Sequence, residues 1–241
     1  MSPEHEPTLV VEGLEVRYSG VPAVRGIDFT INRGETVGLI GPNGAGKSST
    51  MLAMMGAVKA SAGSVKLNGL ELIGMNPEIV ITKGLALVPE GRHIFGNLTV
   101  HQNLRLGEVG RRSRDGLADD IEWVLELFPI LREFQGRTAG LLSGGQQQQL
   151  AIARSLLAKP DVLMLDEPSL GLSPTAVDTV FEALAQVRDN GTSILVVEQR
   201  AEYTIAFCDR THVLYDGQLT LELRPEDAED DELLTKAYFG S

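Results

Sequence analysis

The sequence predicts an α/β fold that has a mainly parallel sheet as its core, an antiparallel β part and an inserted α-helical segment. Short runs rich in aliphatic and β-branched residues alternate with segments of helical periodicity, which is typical of a parallel sheet covered by helices. Within residues 95–158 apolar residues instead recur only at helical spacing. An apolar run that ends at Asn68-Gly69 is a strong signal for a hairpin between antiparallel strands.

Eight β-rich runs are predicted as strands, in chain order 9–18, 27–31, 35–40, 65–67, 85–88, 162–165, 194–197 and 213–215. Two helices are predicted from apolar spacing in the inserted segment, the first from Ile121, Val124, Leu125 and Phe128 and the second from Leu150, Ile152, Ala153, Leu156 and Leu157. We therefore expect a single domain over 1–241, in which 1–94 and 159–241 form the α/β core and 95–158 form a helical subdomain.

The composition excludes several classes of protein. Apolar residues make up 43% of the 241 residues, which suits a globular core, and a net charge of −12 repels the phosphates of nucleic acid and anionic lipid. We therefore expect no nucleic-acid partner. A single cysteine, Cys208, leaves no internal disulfide and no cysteine-based metal site.

The ends of the chain and the absence of long apolar runs bear on location. Residues 1–6 are polar and acidic, which is unlike a signal peptide, and no apolar run approaches the ~20 residues of a membrane span. Residues 226–232 form an acidic tail, followed by a short amphipathic end with Leu233, Leu234, Tyr238 and Phe239. We expect any membrane role to be peripheral and to act through protein partners.

A glycine-rich turn follows the third predicted strand and matches the P-loop pattern G-x-x-x-x-G-K-[ST] with Gly41-Pro42-Asn43-Gly44-Ala45-Gly46-Lys47-Ser48. Such a loop turns backbone amides towards phosphate oxygens, and the helix that begins near Lys47 adds the positive end of its dipole. Lys47 is predicted to contact the β- and γ-phosphates and the Ser48 hydroxyl to bind Mg²⁺. The other residues predicted to bind ATP here are Gly41, Asn43, Gly44, Ala45, Gly46 and Ser49. A chance glycine turn is the alternative, but the strand before it and the helix after it favour the nucleotide site.

A second motif carries acids at the end of a strand. The apolar run 162–165 delivers Asp166 and Glu167 to the edge where ligands bind in open α/β sheets. Asp166 is predicted to bind Mg²⁺, directly or through water, and Glu167 to activate the attacking water as general base. On its own an apolar strand that ends in acids is common and is weak evidence. A P-loop earlier in the chain makes it strong evidence for a nucleotide site.

A third motif, Leu142-Ser143-Gly144-Gly145-Gln146, resembles the signature of ABC ATPases, and its order relative to the other two motifs also agrees. The resemblance implies that Ser143, Gly144, Gly145 and Gln146 clamp the γ-phosphate of ATP bound to an opposite subunit. It therefore implies a second ATPase subunit, sister or identical, in a nucleotide-sandwich dimer. A plain loop and helix cap is the alternative for this motif taken alone.

Other segments resemble the ATP-binding subunits of branched-chain amino-acid importers, in particular the Liv-type F subunit that pairs with a sister G subunit. They are Val88-Pro89-Glu90-Gly91-Arg92, Ser169-Leu170-Gly171-Leu172-Ser173-Pro174, Val197-Glu198-Gln199 and Ala237-Tyr238-Phe239-Gly240. The resemblance implies ATP hydrolysis coupled to uptake, transmembrane permease subunits, an indirect solute-binding partner, and a place on the cytoplasmic face of a bacterial inner membrane. Urea importers carry near-identical motifs, so urea remains an alternative cargo.

The family resemblance also assigns three single residues. Tyr18 resembles the aromatic that stacks on adenine, with ordinary strand packing as its alternative. Glu90 stands where the family has its Q-loop glutamine, and we place it among the Mg²⁺ ligands; Gln199 replaces the switch histidine and is predicted to be catalytic. For both, a solvated polar role is the alternative.

Two other function classes remain. An ABC ATPase of DNA repair or translation is disfavoured because the chain has one P-loop, an acidic charge and no room between Lys47 and Ser143 for a long coiled coil. A protein that binds nucleotide without turnover is suggested only by Gln199, and the intact Lys47, Asp166 and Glu167 argue against it.

Overall fold

The computed structural model describes residues 7–230 and 233. The predicted absence of a signal peptide at 1–6, most of the amphipathic end and the motif at 237–240 lie outside the described residues. The described strands are β1 (Leu9–Tyr18), β2 (Val21–Ile31), β3 (Thr36–Ile40), β4 (Ala60–Leu67), β5 (Leu70–Glu71), β6 (Leu85–Val88), β7 (Val162–Asp166), β8 (Ser193–Glu198), β9 (Arg210–Tyr215) and β10 (Gln218–Leu223).

The described helices are α1 (Lys47–Met54), α2 (Pro77–Lys83), α3 (Val100–Gly107), α4 (Leu117–Leu127), α5 (Pro129–Glu133), α6 (Gly144–Leu156), α7 (Pro174–Asp189) and α8 (Ala201–Phe207). Between Val100 and Leu156 the described chain forms helices without a strand, as the periodicity predicts. The division into a core and a subdomain with bounds at 94/95 and 158/159 stays a prediction.

Two sheets make up the β structure. The larger has the order β10-β9-β3-β8-β7-β6, in which all neighbours run parallel except β10 against β9. The smaller is antiparallel, in the order β2-β1-β4-β5. Asn68 and Gly69 both have positive φ in the turn from β4 to β5, as a tight hairpin requires. The predicted hairpin is confirmed.

Two hydrophobic clusters surround the parallel sheet. One joins α3, α4, α6 and α7 to one face of the sheet, and it contains Phe128 and Leu150 with no exposed surface. The other fills the space between the two sheets around α1, including Met51 and Met54. The apolar spacing that predicts helices in 95–158 is therefore confirmed by burial of the same side chains. Cys208 is also buried, and burial raises the pKa of its thiol, so it acts as a core residue.

Several predicted bounds are wrong. β2 begins at Val21 and not at 27, because its first half does not alternate between buried and exposed residues as a half-buried strand does. β9 begins at Arg210, whose side chain pairs with Glu35 in a half-buried position. The edge strand β10 was missed entirely, since it pairs on one side only and alternates exposed and half-buried residues. In the described part of the chain, no helix has the length and apolar character needed to cross a membrane.

Candidate functional site

The parallel order β3-β8-β7 brings three predicted motifs to one edge of the sheet. The carboxyl ends of these strands lead directly into Gly41, Gln199 and Glu167. A cleft of about 460 Å³ opens there, lined by Ala23, Asn43, Gly44, Gly46, Lys47, Ser48, Ser49, Glu90, Glu167, Leu170 and Gln199. Residues from five segments that the sequence singled out thus share one cleft, although these segments lie far apart in the sequence.

The loop from Gly41 to Gly46 has a backbone that only glycine adopts easily. Gly46 has a φ of 110° and lies so close to the neighbouring strand that a Cβ atom would fall 2.3 Å from the carbonyl oxygen of Ala23. Helix α1 starts at the next residue, and no side chain caps its amino end. The first amides of the helix are therefore available to an anion, as expected for a phosphate-binding loop.

Lys47 is held in place inside the loop. Its Nζ donates to the carbonyl oxygens of Gly41 at 2.8 Å and Pro42 at 3.1 Å, and the residue is 5% exposed. Burial lowers the pKa of the ammonium, while the nearby carboxylates of Glu167 and Asp166 oppose that shift. A cation surrounded by two acids at the entrance to a helix is suited to an anionic ligand that also brings a divalent cation.

Asp166 lies at the end of β7 and is 7% exposed. Burial raises the pKa of its carboxyl, a hydrogen bond with Ser48 lowers it, and the charges of Glu167 and Glu90 raise it again. Its Oδ1 is buried with no hydrogen-bond partner among the described residues. An unpaired buried carboxylate oxygen next to a hydroxyl is what a Mg²⁺ ion needs, since Mg²⁺ typically takes one or two protein ligands and completes its shell with phosphate oxygens and water.

Glu167 and Gln199 form the centre of the cleft. Glu167 has a φ of 49°, and its amide donates to the carbonyl of Val197 at 2.8 Å, which fixes the turn after β7. The Gln199 side-chain amide donates to Glu167 Oε1 and to Asn43 Oδ1, both at 2.8 Å. Gln199 therefore joins the phosphate loop to the candidate base and is not merely a solvated polar residue.

Glu198 is a site residue that sequence reasoning missed. It is 3% exposed, its Oε1 accepts from the Ser169 amide at 2.8 Å, and its Oε2 accepts from the Gln199 amide at 3.3 Å. The carboxylate thus ties the segment after Glu167 to the segment that carries Gln199. Burial raises the pKa of the Glu198 carboxyl. The available signal was an acid at the end of the apolar run 194–197, as in 162–166.

The signature motif lies outside the cleft. Ser143 is the N-cap of α6; its Oγ accepts from the Gln146 amide at 3.4 Å, and its own amide donates to Gln146 Oε1 at 2.9 Å. This capping box is the plain alternative for the motif. It leaves the amides of Gly144 and Gly145 without a hydrogen-bond acceptor among the residues that the structure describes. Ser143 is exposed, so the start of α6 is accessible to an anion from outside.

Tyr18 and Glu90 flank the cleft at different sides. Tyr18 is 46% exposed, and its hydroxyl donates to Ser49 Oγ at 3.3 Å. It therefore stands beside the phosphate loop with a partly exposed side chain, although it does not line the cleft itself. Glu90 lines the cleft and influences Asp166 electrostatically, which agrees with a shared cation. Within the loop Ala45 is buried. Leu170, from the segment 169–174 that carries the family resemblance, lines the cleft, and so does Ala23, which the sequence did not indicate.

Comparison with known proteins decides the family. A family model described as ABC transporter matches residues 24–170, more than half of the chain and the full distance from the phosphate loop to the acids of β7. The chain belongs to the ABC transporter family. It is a nucleotide-binding ATPase, and the predicted fold class is confirmed by ATP-binding cassettes among the solved structures.

Three curated relatives cover nearly all of the chain. BraG of Pseudomonas aeruginosa, a high-affinity branched-chain amino acid transport ATP-binding protein, is 41% identical over 85% of this chain and 87% of its own. A probable LivF of Archaeoglobus fulgidus is 32% identical over 94% and 96%. LptB of Escherichia coli, a lipopolysaccharide export ATP-binding protein, is 30% identical over 97% of each. The resemblance to branched-chain amino-acid transport subunits is confirmed.

Two solved structures show the shared fold. An ABC transporter cassette in its ADP conformation has a TM-score of 0.86 and 24% identity, over 98% of this chain and 99% of the other. A dimeric bacterial cassette has a TM-score of 0.79 and 22% identity, over 90% and 98%. At these identities the likeness establishes architecture, and the roles of individual side chains here rest on the geometry of this chain.

Proposed function

We propose that the protein is the ATP-hydrolysing subunit of a bacterial importer of branched-chain amino acids, bound to the cytoplasmic face of the inner membrane through transmembrane permease subunits. The observation that carries the cargo is the similarity to BraG, at 41% identity over 85% of this chain. The observation that carries the chemistry is one cleft in which Lys47, Glu167 and Gln199 meet. A solute-binding protein would act indirectly, by delivering solute to the permease.

In this proposal each residue of the cleft has its own role in binding or hydrolysing ATP. The amides from Gly44 to Ser49 and the ammonium of Lys47 bind the phosphates of ATP, and Tyr18 offers its ring to the adenine. Mg²⁺ would be held by Ser48 and Asp166, with Glu90 nearby, and would neutralise charge on the transferred phosphoryl group. Glu167 accepts the proton of the attacking water as general base. Gln199 holds Glu167 in position against Asn43.

A second ATPase subunit completes each site in this proposal. The exposed start of α6, with Ser143 and the two glycine amides, does not reach the cleft of its own chain. Orphan amides at a helix N-terminus attract anions. We therefore infer that Ser143, Gly144, Gly145 and Gln146 contact the γ-phosphate held by a partner subunit, as the signature does by resemblance.

Transport by a reconstituted complex tests the cargo. The protein would be assembled with its permease, sister subunit and binding protein in liposomes, and ATP-dependent uptake of labelled leucine, urea and an unrelated sugar compared. We expect uptake of labelled leucine that requires ATP on the side of the membrane to which this chain is bound. Preferred uptake of urea would assign the alternative cargo, while ATP hydrolysis with uptake of none would contradict import by this complex.

Nucleotide should control dimerisation of the isolated chain. Without ATP the start of α6 has no partner phosphate to bind, so we expect a monomer in sedimentation. With ATP and the Glu167→Gln change, which slows hydrolysis, we expect a dimer that is weak if the natural partner is a different chain. The same variant with Ser143→Ala and Gly145→Ala should stay monomeric. A stable dimer without nucleotide would contradict the sandwich assembly.

The two sites of a mixed dimer should differ in rate. The site on this chain's phosphate loop has Gln199, a neutral amide that does not titrate near pH 7 and is engaged with Asn43 and Glu167. If the sister carries a switch histidine, its site can use a group that titrates near neutral pH, and we expect that site to carry most of the turnover. In the assembled complex, Glu167→Gln should therefore leave more residual hydrolysis than the equivalent change in the sister. Equal losses or the reverse order would show that Gln199 is a competent substitute.

A further inference from the structure

A second cavity lies at the opposite edge of the parallel sheet. Its volume is about 350 Å³, and its lining includes Asp161 and Thr192, which directly precede β7 and β8, and Arg33, which lies three residues before β3 begins at Thr36. The ATP cleft lies at the carboxyl ends of the same three strands. The five residues of β7 alone span about 16 Å, and the two linings share no residue. This cavity is therefore separate from the nucleotide site.

Both acidic side chains that line the cavity already have partners within this chain. Asp161 accepts two hydrogen bonds from Arg112 at 2.9 Å and one from Asn68 at 2.9 Å. Asp120 accepts from Arg111 at 2.7 Å and, more loosely, from Lys159 at 3.3 and 3.4 Å. Both carboxylates are thus already neutralised by cations of this chain, which leaves them little capacity for an additional cation.

Arg33 is the charged residue of the lining that has no ion-pair partner among the described residues. It forms no hydrogen bond or ion pair with any other residue that the structure describes. With Arg112 and Lys159 against Asp120 and Asp161, the lining carries three positive and two negative charges, in a chain whose net charge is −12. An exposed guanidinium that lines a cavity with a positive excess favours a carboxylate, which it binds through two parallel N–H donors.

Apolar side chains also contribute to the lining of the cavity. They are Trp123 from α4, Leu156 at the end of α6 and Pro160. A volume of about 350 Å³ is that of roughly ten water molecules and lies within the range of small-molecule sites. We propose that this cavity binds a small organic carboxylate with an apolar body, its carboxylate on Arg33 and its hydrocarbon part against Trp123. The cavity lies between the helical segment and the sheet core. Binding of the carboxylate there is expected whichever solute the transporter carries.

Trp123 is the only tryptophan in the sequence, so its fluorescence reports on this cavity without interference. The full chain would be titrated with 4-methylpentanoate, acetate, leucine and inorganic phosphate, with calorimetry as a second measurement that does not depend on the indole. We expect saturable binding of 4-methylpentanoate, at least tenfold tighter than acetate, and weaker binding of leucine, whose ammonium group meets the positive excess. Saturating ATP should not compete.

Two variants make the test specific. Arg33→Gln should weaken 4-methylpentanoate binding at least tenfold, while Arg17→Gln, which removes another exposed arginine, from β1, should leave it unchanged. Circular dichroism and ATP binding of both variants check that the fold is intact. Equal affinity for acetate and 4-methylpentanoate, tighter binding of phosphate or leucine, competition by ATP, no saturable binding, or equal effects of the two variants would each overturn the assignment.

Discussion

Replacing Glu167 by Gln is expected to slow hydrolysis at this chain's own site by roughly 10²-fold or more while ATP binding persists. The carboxylate accepts a hydrogen bond from Gln199 and follows Asp166 directly, so it stands where a general base is needed. A glutamine has nearly the same shape but cannot accept a proton at neutral pH. The phosphate loop and Lys47 are untouched, which preserves nucleotide affinity.

The measurement must isolate one site. In a complex whose sister subunit already has its base replaced, steady-state phosphate release reports mainly on the site of this chain. Glu12→Gln is the matched control, because it removes one exposed carboxylate from β1, where Glu12 pairs with Lys66. We expect normal turnover from the control. Near-normal turnover of Glu167→Gln in the same background would show that another group is the base.

Replacing Gly46 by Ala should lower the free energy of unfolding by about 3–5 kcal/mol and abolish ATP binding. The added Cβ would lie 2.3 Å from the Ala23 carbonyl oxygen, and a backbone atom in a paired strand cannot move aside as a flexible side chain can. The φ of 110° adds strain, since L-residues seldom adopt it. Relief of the clash would displace the start of α1 and with it the phosphate-binding amides.

The Gly44→Ala variant distinguishes the cost of a positive φ from the cost of a steric clash with the backbone. Gly44 has a φ of 81° in the same loop, but nothing lies within 4 Å of a Cβ atom built there. We expect this variant to lose only about 1–2 kcal/mol, the cost of the left-handed conformation. Urea denaturation of both variants without nucleotide measures the difference. Equal losses would mean that conformational strain, and not the approach to Ala23, makes glycine necessary at position 46.

The parts of this protein whose chemistry is local could be predicted from the sequence alone. The phosphate loop, the acids after β7 and the capping motif at the start of α6 each consist of adjacent residues, so their spacing is readable without a fold. Apolar periodicity located the buried face of α4 and α6 because a helix repeats every 3.6 residues. Weakly amphipathic edge elements such as β10 gave no such signal.

How those parts come together depends on the folding of the whole chain. Gln199 contacts Asn43 across 156 positions of sequence, because β8 lies between β3 and β7 in the sheet. Strand order is set by packing of the whole chain and leaves no mark on the local pattern of either residue. The same holds for Glu198, whose burial between two loops gives it a role, and for Arg33 and Trp123, which share a cavity only because the helical segment packs against the amino ends of the strands.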